Sequence, residues 1–151
     1  VHTAVGQLPI VAGKPEPAIF KTAVEHFGAK QAIFVGDRID TDIRGANRAE
    51  IASVLVMTGI STRKEVLGVK KEDRPTFIIE TMAELLVDYD QPKKTKHGYS
   101  CKGAEVELLG NKVMVTQGDP KSISALRAAC AVIYGSELPI YALEVEPALY
   151  E

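Results

Sequence analysis

The residues best suited to chemistry lie in one run, Val35 to Ala46 (VGDRIDTDIRGA), where Asp37, Asp40 and Asp42 follow an apolar segment and precede a helical one. A strand that runs straight into such a turn sets its carboxylates at the carboxyl end of a parallel sheet, the border on which ligands bind in open α/β folds. Carboxylates there suit a hard divalent cation, and Mg²⁺ takes only one or two of them while keeping several waters. Asp37, fixed at the strand end, is the expected metal ligand. Asp42 lies about one helical turn further on, where it can hold a metal-bound water or orient a neighbour while the helix dipole stabilises its charge. Asp40 reads as a turn or capping residue, and all three also fit the plainer role of ending the strand and capping the helix. Upstream, GKPEPAIF sets Lys14 between a glycine and a proline just ahead of a helix. An ammonium held there can pair with a phosphoryl oxygen or an adjacent carboxylate.

The elements that must position these groups alternate along the chain. Short β-branched runs at 32–35 (AIFV), 53–57 (SVLVM) and 76–79 (TFII) recur every 20-odd residues. That is the length of a strand with its crossover helix, and it predicts parallel β/α units. A further short strand is expected from Pro9 to Ala12. Pro17 is placed to open a helix burying Ile19, Phe20, Ala23, Val24 and Phe27, with Gly28 ending it. A second helix is expected from near Thr41, and a third from Met82 to Val87 docking Met82, Leu85 and Leu86 on the sheet.

Residues 89–98 turn polar, with Pro, Gly and three lysines within four positions, and read as a linker. Beyond them Val106 and Leu108, then Val113 and Val115, alternate around Gly110–Asn111 as a hairpin. Asp119–Pro120 leads a helix with Ile123, Leu126, Cys130, Ile133 and Tyr134 on one face, and Tyr141, Leu143 and Val145 alternate along a last strand. The expected organisation is an α/β unit over 1–88, a linker over 89–98 and a small ββαβ module over 99–151. A hairpin, a helix and a strand make too small a core to stand alone, so the module is expected to dock on the preceding unit.

Composition narrows the function. The chain has 151 residues, 46% of them hydrophobic, and a formal charge of -2, so it offers no broad positive field for nucleic acid or anionic lipid. No apolar run approaches the length of a membrane span and the start has no signal-peptide pattern, so a cytoplasmic location is expected. Cys101 and Cys130 stand at no metal-like spacing and read as small buried hydrophobes. His2, His26 and His97 are scattered, and no Gly-x-Ser-x-Gly elbow surrounds Ser61 or Thr62.

In order, GKPEP, helix, strand, GDRIDTDIRGA, helix, strand and TGIST (Thr58 to Thr62) resemble the C-terminal half of the core of haloacid dehalogenase-like (HAD) phosphatases. The subclass is IIA, which includes nucleotide-monophosphatase, phosphoglycolate and glycerol-phosphate phosphatase relatives. The resemblance covers residues 9 to about 88. It implies a partial Rossmann-like parallel sheet and Mg²⁺-dependent hydrolysis of a small phosphate monoester through a phosphoaspartate. It further implies that Lys14 steadies the phosphoaspartyl intermediate, that Asp37 ligates Mg²⁺ and that Asp42 supports the metal site. The family's DxD nucleophile is missing. Asp88 and Asp90 (LLVDYDQP) come at the wrong place in the order, with Gln91 and Pro92 where small residues belong. The chain is therefore expected to be inactive alone, with the edge of the strand at 32–35 covered by the missing N-terminal half or by a second copy. The alternatives are a non-catalytic binding or regulatory module with an acidic Mg²⁺-binding turn, and a receiver-like domain. The latter is discouraged because Lys14 precedes Asp37.

Overall fold

The computed structural model describes residues 12–151. The strand expected over 9–12 lies, apart from Ala12, outside the described residues. Pro17, with φ already set for a helix, leads α1 (Ala18–Phe27), and Gly28 stops it at a φ of 59°, its amide donating to the Glu25 carbonyl. Three parallel strands follow in spatial order β1 (Ile33–Gly36), β2 (Ala52–Val56) and β3 (Phe77–Ile79). Val54, Leu55 and Val56 of β2 are all buried, as expected of a central strand covered on both faces. β1 is an edge.

Between β1 and β2 the chain winds first as a π-helical turn, Ile39–Ile43, and then as α2 (Arg44–Arg48). The helix expected from Thr41 thus begins two residues earlier and in a wider turn. Thr62 and Glu65 form a reciprocal capping box that starts α3 (Arg63–Leu67). Asn47 and Ser53 tie α2 to the approach of β3: the Asn47 amide donates to the carbonyls of Glu72 and Arg74, and Ser53 Oγ bonds Asn47 Oδ1 and accepts from the Thr76 amide.

The second sheet has five strands in chain order. They are β4 (Lys93–Lys94), β5 (Gly98–Cys101), β6 (Ala104–Leu109), β7 (Lys112–Gln117) and β8 (Glu144–Val145), antiparallel except for the parallel pair β7 and β8. Ser122 caps α4 (Ile123–Gly135), which lies across β5, β6 and β7. The hairpin around Gly110–Asn111 and the helix at 123–135 stand where the pattern puts them.

One apolar core joins the two sheets. Ile43, Leu55, Val66 and Ile78 of the first unit pack in the same cluster as Val106, Val113 and the buried face of α4. The stretch read as a linker takes part in this. Tyr89 stacks edge-on against Phe77, its hydroxyl accepts from the Ile78 amide, and Lys93–Lys94 pair as β4 on β5. Cys101 and Cys130 are free and buried, and burial pushes the Cys130 thiol up to about 12, so it is inert.

Three expectations need correction. Of the face assigned to α1, Phe20 alone is buried, whereas Ile19 and Phe27 are 50% and 79% exposed. The reason is that among the described residues β1 ends the sheet, so this face meets an open groove of about 400 Å³ lined by Ile19, Phe20, Val24, Phe27, Ile33 and Phe34. The Met82 helix is a 3₁₀ turn, Met82–Leu86, with no buried residue and Leu86 89% exposed. Thr81 and Glu84 form its capping box, and Glu84 is the residue that reaches inward, to Arg127. The last strand shrinks to β8, because Ile140–Ala142 turn as a 3₁₀ segment that leaves Tyr141 exposed.

Candidate active site

The carboxyl ends of β1 and β2 carry the candidate site. β1 delivers Asp37 directly to its end, and the Asp37 carboxylate accepts from the Ile60 amide through Oδ2 at 3.3 Å. The Asp37 carbonyl accepts from Ser61 N at 3.1 Å, and Ser61 Oγ accepts from Ile39 N at 3.0 Å. The β2–α3 loop therefore wraps the aspartate on backbone and side chain alike. Among the described residues Asp37 Oδ1 carries no hydrogen bond, which leaves an acceptor oxygen at the strand end.

Lys14 and Asp42 lie 28 residues apart and meet at 2.6 Å, Nζ to Oδ1. Asp42 is 4% exposed, and its other oxygen accepts from the Arg38 amide at 3.2 Å. The π-helical turn brings this about by swinging Asp42 back under the strand end. There it fills the space left by Gly36, where an added methyl group would come within 2.6 Å of Asp42 Cγ. Gly59 makes room for Asp37 in the same way, with only 2.5 Å between such a group and Asp37 Cγ. The glycines of GDR and TGIST are thus the space into which the two aspartates pack.

Asp40 points elsewhere. Its carboxylate takes both arms of the exposed Arg38 side chain, at 3.0 and 3.2 Å, and that hydrogen-bonded guanidinium holds the Asp40 carboxyl below the usual range. Behind the turn, Arg44 grips Asp73 with two bonds of 2.7 and 2.9 Å, which lowers the Asp73 carboxyl as well. Among the described residues Asp88 and Asp90 make no hydrogen bond or ion pair with Lys14, Asp37 or Asp42. They follow a 3₁₀ turn instead of a strand, and Asp90 pairs with Lys102.

Lys14, Asp37 and Asp42, the three residues singled out in the sequence, therefore fall at neighbouring strand and loop ends, with Lys14 and Asp42 in contact. Sequence reasoning missed Ser61 and the two packing glycines. The TGIST motif contains two of these, but a hydroxyl bonded to a backbone amide leaves no spacing signal.

A family model described as HAD-hydrolase-like matches residues 11–85. Over that span the chain belongs to the HAD-like hydrolase family. Among HAD-like relatives it is 41% identical over 88 residues to a D-glycerol 3-phosphate phosphatase of Mycobacterium tuberculosis, covering 58% of this chain and 25% of that protein. It is 34% identical over 94 residues to a dihydroxyacetone phosphatase of Corynebacterium glutamicum, covering 61% of this chain and 34% of that one. A crystal structure of a glycerol phosphate phosphatase from M. tuberculosis in complex with magnesium superposes with a TM-score of 0.70 at 31% identity. That superposition takes in 96% of this chain, its C-terminal module included, and 42% of the other. The same fit is found to a form in complex with calcium. The chain spans about a quarter to a third of the length of the relatives it matches in sequence. Among its described residues no helix is long and apolar enough to cross a membrane.

Proposed function

We propose that this chain is the lysine- and metal-bearing part of a HAD-like phosphatase that hydrolyses small phosphate monoesters of the glycerol phosphate type. The observation that carries the reading is the Lys14–Asp42 pair at 2.6 Å, set beside Asp37 where β1 ends, with Asp42 against Gly36 and the Arg38 amide. Asp42 fixes the ammonium, so Lys14 is oriented before a phosphoryl group arrives and spends little entropy on being positioned. A phosphoryl group bound there meets a fixed positive charge on one side and the Asp37 carboxylate on the other.

The residues present fit Mg²⁺. Among those described, no group of three His, Cys, Asp or Glu side chains converges, and Asp37 offers one oxygen free of hydrogen bonds. Mg²⁺ is commonly held by one or two carboxylates together with substrate phosphate and water. Asp37 would hold the ion directly and Asp42 would stand behind it, and the ion would supply neutralisation of phosphoryl charge.

The attacking carboxylate is proposed to come from an N-terminal half carrying the DxD motif and pairing along the free edge of β1. Its oxygen bonds to phosphorus as the ester oxygen leaves and takes up a proton, and water then cleaves the acyl phosphate to free phosphate. The edge that β1 forms among the described residues and the apolar groove beside α1 support this, since a strand next to β1 and its cover would bury both. A second copy of the chain is the other candidate to cover that edge, though it brings no nucleophile. We divide the chain accordingly, with 1–88 as the core part and 99–151 as an accessory module.

The test is Mg²⁺-dependent release of phosphate from glycerol 3-phosphate, by the chain alone and combined with a DxD-bearing N-terminal half. Alone it should show only the metal background. In the combined protein Asp37→Asn should cost about three or more decades in rate and Lys14→Ala roughly two to four, while Asp40→Asn should cost less than about one. Turnover by the isolated chain, or equal losses at Asp37 and Asp40, would count against the assignment.

A further inference from the structure

We propose that Ser61 and Arg63 are positioning residues through which the C-terminal module holds Asp37 in place. The proposal rests on Asp37 being the working carboxylate, and it starts from how that residue is held. Its carboxylate and its carbonyl are both gripped by amides of the β2–α3 loop, and the loop is closed onto the next turn by Ser61 Oγ accepting from Ile39 N. Thr58, Gly59 and Ile60 are exposed, so the loop has no core of its own. A segment with few buried apolar contacts opens locally unless its ends are tied. One end is β2, inside the sheet. The other is α3, a helix of five residues whose attachments reach across to the C-terminal module.

Those attachments are specific. Arg63, one residue past the Thr62 cap, donates to the carbonyls of Lys121 and Ser122, the latter at 3.4 Å, and Ser122 is itself the cap of α4. Val66 accepts from the Tyr134 hydroxyl of α4, and its side chain is buried in the core that α4 completes. The Lys64 ammonium sits 5.5 Å from the centre of the Tyr150 ring. The path from the module to Asp37 is therefore α4 cap, Arg63, Thr62, Ser61, Asp37, with each step a hydrogen bond or adjacent backbone. Arg63 is the step nearest the loop that crosses between the two units, so loosening it should free the loop and leave the sheets intact.

The experiment is residue-resolved amide hydrogen exchange on the full chain, for wild type, Arg63→Ala, Arg63→Lys and Ser61→Ala. In Arg63→Ala the amides of Ile60 and Ser61 should exchange roughly tenfold faster or more, with Val54 and Leu55 of β2 unchanged. Lysine, able to reach one carbonyl, should restore part of the protection, and Ser61→Ala should release the Ile39 amide. Unchanged exchange at Ile60 and Ser61 in Arg63→Ala overturns the proposal, and so does acceleration spread evenly through β2, which would mean general destabilisation. The readout needs neither metal nor ester. Failure here leaves the phosphatase reading standing, and an inactive combined enzyme leaves this one standing.

Discussion

Replacing Gly59 by alanine separates the site's geometry from the stability of the chain. The new methyl group would lie within 2.5 Å of Asp37 Cγ and nearer still to Cβ and Oδ2. Ordinary carbon contacts are roughly 3.5–4 Å, so either the loop or the aspartate must give way by more than about 1 Å. Because the clash reaches Cβ, a rotamer change alone does not relieve it, and the backbone has to move. A misplacement of about 1 Å costs on the order of a hundredfold in a reaction that depends on alignment, or about 3 kcal/mol of transition-state stabilisation. Gly59 is exposed and outside every core cluster, so the melting temperature should move by only about 2 °C or less. Gly13→Ala is the control, since nothing lies within 4 Å of the added carbon. The assay is Mg²⁺-dependent phosphate release by the chain combined with a DxD-bearing half, beside calorimetry on each variant. A Gly59→Ala rate within threefold of wild type, with the same Mg²⁺ dependence, would show that Asp37 is not the residue whose placement matters.

Two further outcomes concern stability. Because the hydrogen-bonded Arg44 holds the Asp73 carboxyl below its ordinary value, that pair contributes fully above the unfolded aspartate range near pH 4 and fades as pH falls through the lower folded value. Asp73→Asn should therefore cost about 1–2 kcal/mol at neutral pH, after screening of the partly exposed arginine is allowed for, and should flatten the acid limb of denaturant-measured stability. Arg127→Met removes the donor to the Ile78 carbonyl at 2.7 Å, the partner of Glu84 at 2.5 Å and the cation 4.3 Å above the Tyr89 ring. It should cost about 3 kcal/mol in urea unfolding while keeping a single transition, and separate transitions for the two sheets would contradict the shared core.

The β1, β2 and β3 runs and α4 were legible because burial on both faces, or on one helical face, writes a period into the sequence. The face of α1 was misjudged for the same reason. Ile19 and Phe27 mark an apolar side, but periodicity does not say whether anything covers it. Lys93–Lys94 escaped notice because charge suits an edge strand as well as it suits a linker. At Met82–Leu86 the Thr81–Glu84 cap and the pull of Arg127 on Glu84 tighten the turn, and neither could be read from a run of apolar letters. Lys14, Asp37 and Asp42 were visible through motif order, whereas the meeting of Lys14 with Asp42 across 28 residues depends on the sheet that brings them together.

The core running from Leu55 to α4 has a consequence for how such a chain changes over generations. A recombination event with its breakpoint in 89–98 would join a foreign sheet to α4 without the matching Ile43, Val66 and Ile78, and would strand Tyr89 and Arg127 without each other. Substitutions along α4 are therefore constrained by residues some sixty positions away, such as Val66, which bonds Tyr134, and Arg74, whose side chain bonds the Tyr134 carbonyl. Because the two sheets share that core, a quality-control protease that opens either one gains access to both.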